Sequence, residues 1–205
     1  MSASLSTRLL TSALLLATGA LTAQTVVVRG EIQSGRATGC YYCPSVPWAL
    51  KYSEWPLTSS TVNLALWLNQ PVEVTGNWNG STTAPSIDVT AVRFVTQSFG
   101  FSGSGAIGGS FRFTTVGTPG DVAINAAALD RGFAVPLGTV TFLIDPALAF
   151  VVGIGSIDSA GQFRSDLPIP NNPALVGMQV FGQALIAPAS GGFYTTSMRS
   201  DFVLP

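Results

Sequence analysis

Val72-Glu73-Val74-Thr75-Gly76-Asn77-Trp78 runs into Asn79-Gly80, and Ile87-Asp88-Val89-Thr90-Ala91-Val92-Arg93-Phe94-Val95 follows. Both runs alternate apolar with polar residues. Side chains on a strand point to opposite faces in turn, so period two means one face buried and one wet. Asn-Gly between two such runs predicts a hairpin. Working outward, Thr25 to Ile32 is β-branched and extended. Ser59 to Leu68 reads as a short helix, with Ser59, Ser60 or Thr61 as its cap and Leu64, Trp67 and Leu68 on one face.

The later half repeats the strand-and-turn pattern. Phe111 and Phe113 alternate with polar neighbours, and Gly117-Thr118-Pro119-Gly120 is a turn. Val122 to Leu129 is a strand or, given its alanines, a helix. Strands are expected at Thr139 to Ile144, Leu148 to Ile154, Gln162 to Ile169, Gly177 to Ala187 and Phe193 to Leu204. The apolar run Ala147 to Ile154 suits a buried strand. Closely spaced turn signals favour a β-sandwich. The chain therefore reads as all-β: a small barrel-like module over 24–98, a Gly/Ser-rich linker over 99–110, and a sandwich over 111–205. Tryptophan occurs only in the first module and most Phe in the second, which points to two separate cores.

Residues 1–23 stand outside this pattern. Arg8, the apolar run Leu9 to Leu16, and the small residues Ala20 and Ala23 follow the order of a secretory signal peptide. The apolar part is too short for a membrane span, which takes about 20 residues. A secreted, periplasmic or cell-surface location is expected.

Composition excludes several chemistries. There is no histidine, so Ser-His-Asp and Cys-His nucleophile systems and His-ligated zinc or haem are ruled out. The net charge is −1 and charged residues make up 9% of the chain, against about 25% in an ordinary soluble protein. Nothing in that balance draws nucleic acid, and so uncharged a surface favours self-association. No cofactor and no metal site is expected.

Individual motifs narrow the field further. Cys40-Tyr41-Tyr42-Cys43 lies between Gly39 and Pro44, a loop setting. With no histidine and no further cysteine, a redox dithiol or a zinc site is poorly supported. A disulfide between Cys40 and Cys43 is the reading that fits an oxidising compartment. Gly103-Ser104-Gly105-Ala106-Ile107-Gly108 matches a dinucleotide fingerprint in letters, but a strand pattern follows it where a helix is needed. Asp145-Pro146 and Asp158-Ser159-Ala160-Gly161 read as turns capped by their own Asp. A pair of carboxylates brought about 5–10 Å apart would still suffice for glycoside hydrolysis.

The aromatics Tyr41, Tyr42, Trp48, Trp55 and Trp78 have two readings, core packing and a face that stacks on sugar rings. Trp78 beside Asn79-Gly80, and Tyr41 and Tyr42 in the Cys loop, are expected to be exposed. Any ligand contact is expected in the first module, with the second as scaffold.

Two resemblances add to this reading. The hairpin around Val72-Glu73-Val74-Thr75-Gly76 and Ile87-Asp88-Val89-Thr90-Ala91-Val92, after a short helix, resembles small OB-like barrels of exported bacterial proteins. From Leu137-Gly138 onward the chain resembles a C-terminal module of exported bacterial proteins. The matching residues are Asp158-Ser159-Ala160-Gly161, Ile169-Pro170-Asn171-Asn172-Pro173-Ala174-Leu175-Val176-Gly177 and Gln183-Ala184. The likeness implies export and a β-sandwich and carries over no catalytic residues. The expected function is an exported, non-catalytic binding or adhesion protein, its ligand a glycan or another surface protein. The alternatives are a structural subunit of a cell-surface assembly and a carboxylate-dependent glycoside hydrolase. The leader should be cleaved within Ala20 to Gln24; N-terminal sequencing of the exported chain should not find Met1.

Overall fold

The computed structural model describes residues 24–35, 47–53, 55–79, 86–96, 98–137, 140–145 and 147–205. The chain is all-β: fifteen strands and two single-turn 3-10 helices among these residues. The signal-peptide reading and the Cys40–Cys43 pair lie outside them.

The first five strands close a barrel. They are β1 (Gln24–Ser34), β2 (Trp48–Leu50), β3 (Trp55–Thr58), β4 (Pro71–Trp78) and β5 (Ile87–Phe94), in the order β1-β2-β3-β5-β4 with β4 returning to β1. Residues Gln24 to Glu31 of β1 pair with β4, and Ile32 to Ser34 pair with β2, so one long strand serves both sides of the closure. β3 and β5 lie parallel through Leu57↔Ile87 and Thr58↔Asp88. A closed five-stranded barrel thus stands where the hairpin predicted a small barrel-like module.

The alternation of β4 is realised as read. Val72, Val74, Gly76 and Trp78 point inward, and Glu73, Thr75 and Asn77 point outward. β5 slips once: between Thr75 and Gly76 the register shifts, so Val89 and then Val92 face the core, with Ala91 outside. A bulge of this kind adds one unpaired residue and bends the strand. Gly76 is required there, because a Cβ would lie 2.5 Å from the Asp88 carbonyl oxygen. The hairpin connection runs from Asn79 to Ser86 and is longer than a two-residue Asn-Gly turn. The helix expected over Ser59 to Leu68 shrinks to a 3-10 turn at Leu64–Trp67, because Asn63 caps it four residues late, its side chain accepting from Ala65 N–H.

The stretch expected to be a linker is instead part of the sandwich. β6 (Phe99–Gly103) pairs along its length with β7 (Ser110–Val116). Ile107 N–H donates to Leu204, Gly108 N–H to Ile169, and Leu204 N–H to Gly105. Its glycines serve turn geometry: Gly103 has φ of +113°, and a Cβ there would meet the Ser110 carbonyl oxygen at 2.4 Å.

The remaining strands are β8 (Val122–Ala128), β9 (Arg131–Leu137), β10 (Val140–Ile144), β11 (Phe150–Ser156), β12 (Gln162–Pro168), β13 (Gln179–Ala187), β14 (Tyr194–Thr195) and β15 (Arg199–Phe202). One sheet runs β11-β8-β13-β14, with β15 also on β13; a second runs β12-β7-β6; β9 and β10 form a hairpin. The alanine run of β8 is strand, not helix. Between the two sheets lie Phe99, Phe111, Phe113, Ala127, Val180 and Ala184. Asn125 is fully buried there, accepting from Thr115 and donating to Ser165 Oγ at 2.9 Å.

The cores do not divide by module. One buried cluster contains the barrel interior (Val26, Leu57, Val74, Ile87) together with Ala128, Leu143, Ile144, Phe181 and Met198 from the sandwich half. Both faces of the β8 and β13 sheet are covered: β10 and the barrel pack on one side, with Leu143 N–H bonded to Gln183, and the β7 sheet covers the other. Each fully buried aliphatic or Phe side chain is worth about 1.5–3 kcal/mol. The two layers come close where β11 passes β12. A Cβ at Gly155 would lie 2.4 Å from the Phe163 ring. Gly155→Ala is expected to destabilise the fold by about 1–3 kcal/mol through overpacking, read as a lower urea midpoint with an unchanged slope.

Candidate functional site

The sequence-derived aromatic site does not assemble as expected. Trp55 and Trp78 are 3% and 4% exposed and meet edge to face inside the barrel, ring centroids 6.4 Å apart. Trp78 was expected at the surface, but it shares its side of β4 with Val72 and Val74, and strand parity takes it into the core. Trp48 and Trp67 are half-buried and pack on the same core. Tyr41 and Tyr42 lie outside the described residues. The outer face of β2 and β3, where OB-like barrels take chain-like ligands, carries Ala49 and Pro56, both buried.

The carboxylates also have local partners. Asp145 accepts from Ala147 N–H at 2.8 Å, and Asp158 accepts from Ala160 and Gln162 N–H at 2.9 Å, so both cap their own turns. Asp166 takes a two-point bond from Arg112. Asp121 is buried and accepts from Ala189 N–H. Among the described residues, no three His, Cys, Asp or Glu side chains gather where they could hold a metal ion.

The densest charge cluster is a junction between barrel and sandwich. Arg199 of β15 donates to Glu31 of β1 at 2.6 Å and to the Tyr52 hydroxyl at 3.0 Å. Lys51 adds a second bond to Glu31 at 3.0 Å. Arg29 of β1 lies over the Tyr194 ring of β14, 4.2 Å from its centroid. Arg29 also pairs with Glu73, as does Arg93. Burial on its own would raise the Glu31 carboxyl, but hydrogen bonds from Arg199 and Lys51 outweigh it and hold the group below its ordinary range. Glu73 is held low in the same way by Arg93 and Arg29, against burial. These carboxylates are fastened as anions, which suits a structural tie and not a general acid.

The other concentrated feature is apolar. A groove of about 140 Å³ opens at one end of the sandwich, lined by Phe111, Leu129, Phe150, Leu167, Ile169 and Met178 among others. Its lip is the Ile169-to-Gly177 segment. Asn172 there caps a 3-10 turn by accepting from Ala174 N–H, Pro173 starts the turn, and Gly177 takes φ of +85°. Those motif residues therefore shape a loop. Beside the groove runs β11, an edge strand. The apolar run that reads as a buried strand is exposed: Phe150 43%, Val151 57% and Ile154 63%. Gly153 and Gly155 were the clue to this, since a strand that must press against a neighbouring layer through glycines turns its large side chains the other way.

The fold and site define an all-β protein in which Glu31 and Glu73 are tied into the scaffold and a groove and the β11 edge leave large apolar side chains exposed. No family model, no curated protein and no solved structure matches the chain. No helix among the described residues is long and apolar enough to cross a membrane.

The pH dependence follows from the two glutamates. A carboxyl with a lowered folded-state pKa adds stability that is complete above its unfolded value of about 4.3 and is lost as pH falls through the lowered folded value. The thermal midpoint should therefore be flat near neutrality and fall on acidification below about pH 4.3. A Glu31→Gln/Glu73→Gln variant should start lower at neutral pH and show a shallower acid slope in the same melts.

Proposed function

We propose that this chain is an exported, non-catalytic protein that works by surface contact, as a binding or adhesion module or as a subunit of a cell-surface assembly. The observation that carries this reading is β11, an uncharged edge strand with large apolar side chains in solvent, continuous with an apolar groove. Edge strands in free-standing proteins are commonly blunted by charge or proline, and contiguous exposed apolar surface marks interaction sites. The glycan branch rested on first-module aromatics, of which Trp55 and Trp78 serve the core. A protein partner suits the apolar edge better. The hydrolase reading has little support, since Glu31 and Glu73 are each held by two cations. The contact-making part is accordingly the sandwich, where the sequence pointed to the barrel.

Purified chain beginning at Gln24 can be incubated with cell-envelope fractions and with neutral polysaccharides, then sedimented. Co-sedimentation with an envelope fraction is expected, lost when that fraction is first treated with protease, with no reducing sugar released. Sugar release abolished by Glu31→Gln or Glu73→Gln, or binding that survives protease treatment, would overturn this reading.

A further inference from the structure

We propose that two copies of this chain pair edge to edge, β11 with β11 and β12 with β12, about a two-fold axis passing Gly153 and Ser165. The inference rests on the reading of the sandwich as the contact-making part and names its partner.

β11 is the last strand of one sheet and β12 the last of the other. They end on the same side of the sandwich, stacked so closely that a Cβ at Gly153 would lie 2.6 Å from the Ser165 Cβ. A single pairing event can therefore extend both sheets at once. β11 offers the backbone row and the apolar surface. It carries no charge and no proline, and its one blunting device is the register shift between Val151 and Gly153.

β12 supplies the argument for a second copy. Its exposed side chains flanking Ser165 are Arg164 and Asp166, one of each sign. In an antiparallel self-pairing centred on Ser165, Arg164 faces Asp166 of the second copy, and Asp166 faces its Arg164. Opposite charges directly across a strand pair stabilise it, and like charges oppose it. The strand is thus complementary to itself in reverse. A uniformly acidic or basic partner would satisfy one of the two charges and repel the other. Arg112 already orients the Asp166 carboxylate through bonds of 2.8 and 3.1 Å. The same axis sets Gly153 of β11 opposite its counterpart, so no side chain obstructs the centre. Such an isologous contact closes as a dimer and does not propagate into a fibre. The chain's net charge of −1 adds little repulsion between copies.

Sedimentation equilibrium on the chain beginning at Gln24 should give a monomer–dimer equilibrium with a Kd of about 10 μM or tighter. Arg164→Asp sets two acids against two acids and should weaken the dimer by about tenfold or more. Val151→Lys/Ile154→Lys should give monomer with an unchanged far-UV spectrum. Hydrogen exchange on the unmodified chain should show β11 amides protected at high concentration and exchanging freely at low concentration. A chain monomeric up to about 100 μM, or a dimer indifferent to Arg164→Asp, overturns the proposal. So do β11 amides whose exchange ignores concentration, a measurement that stands even if the lysine variant fails to fold. A dimer without envelope binding would leave the pairing and remove the proposed function; envelope binding by a strict monomer would do the reverse.

Discussion

A sheet that is apolar on both faces cannot stand at a surface, and the sheet built on β8 and β13 is of that kind. Ala123 and Ala127 of β8 face the β7 sheet; Ala126 and Ala128 face the barrel side. The architecture follows from covering both. Small side chains let neighbouring layers come near, and interiors are packed too densely for the spacing to be relaxed. Asn125, Gln183 and Thr195, polar side chains inside these layers, are paired. Buried Gln183 accepts from Leu143 N–H and donates to the Thr196 carbonyl, tying β13 to β10 and to the chain before β15. Leaving either group unpaired would cost about 1–3 kcal/mol.

Much of this was legible in the sequence because period two is a direct print of strand geometry. β4 and β7 could be read with their inward residues correct, and the expected small barrel closes around the β4–β5 hairpin. The failures have physical causes. Glycine composition cannot separate a flexible tether from a hairpin that needs positive φ, so β6 was read as linker. An apolar run such as β11 reports that a strand will form but not which layer covers it; that is decided by residues far away in sequence. Trp78 was legible by parity with Val72 and Val74, and nearness to a turn was the weaker signal. The groove drew on residues from Phe111 to Val203, and no local pattern announces a concavity assembled over that span.

The polar chemistry of the molecule is largely spent on itself. Arg29, Lys51, Arg93, Arg112 and Arg199 all have carboxylate partners, and the Arg199–Glu31 pair joins the sandwich to the barrel. With most charge used as internal fastening, the proposed contact surface is left to a backbone edge, apolar area and the exposed Arg164 and Asp166. The apolar part of such a contact depends weakly on salt, and the part made by exposed charge depends on it more strongly.

Met198 belongs to the same buried cluster as Val26 and Val28. The cluster that fills the barrel, whose strands all lie in the first half of the sequence, thus also takes in a side chain from far along the sandwich half. Neither half can finish packing before the other is in place, because they share this buried surface. Losing one half strips cover from the other, which makes folding and unfolding a single event shared by both.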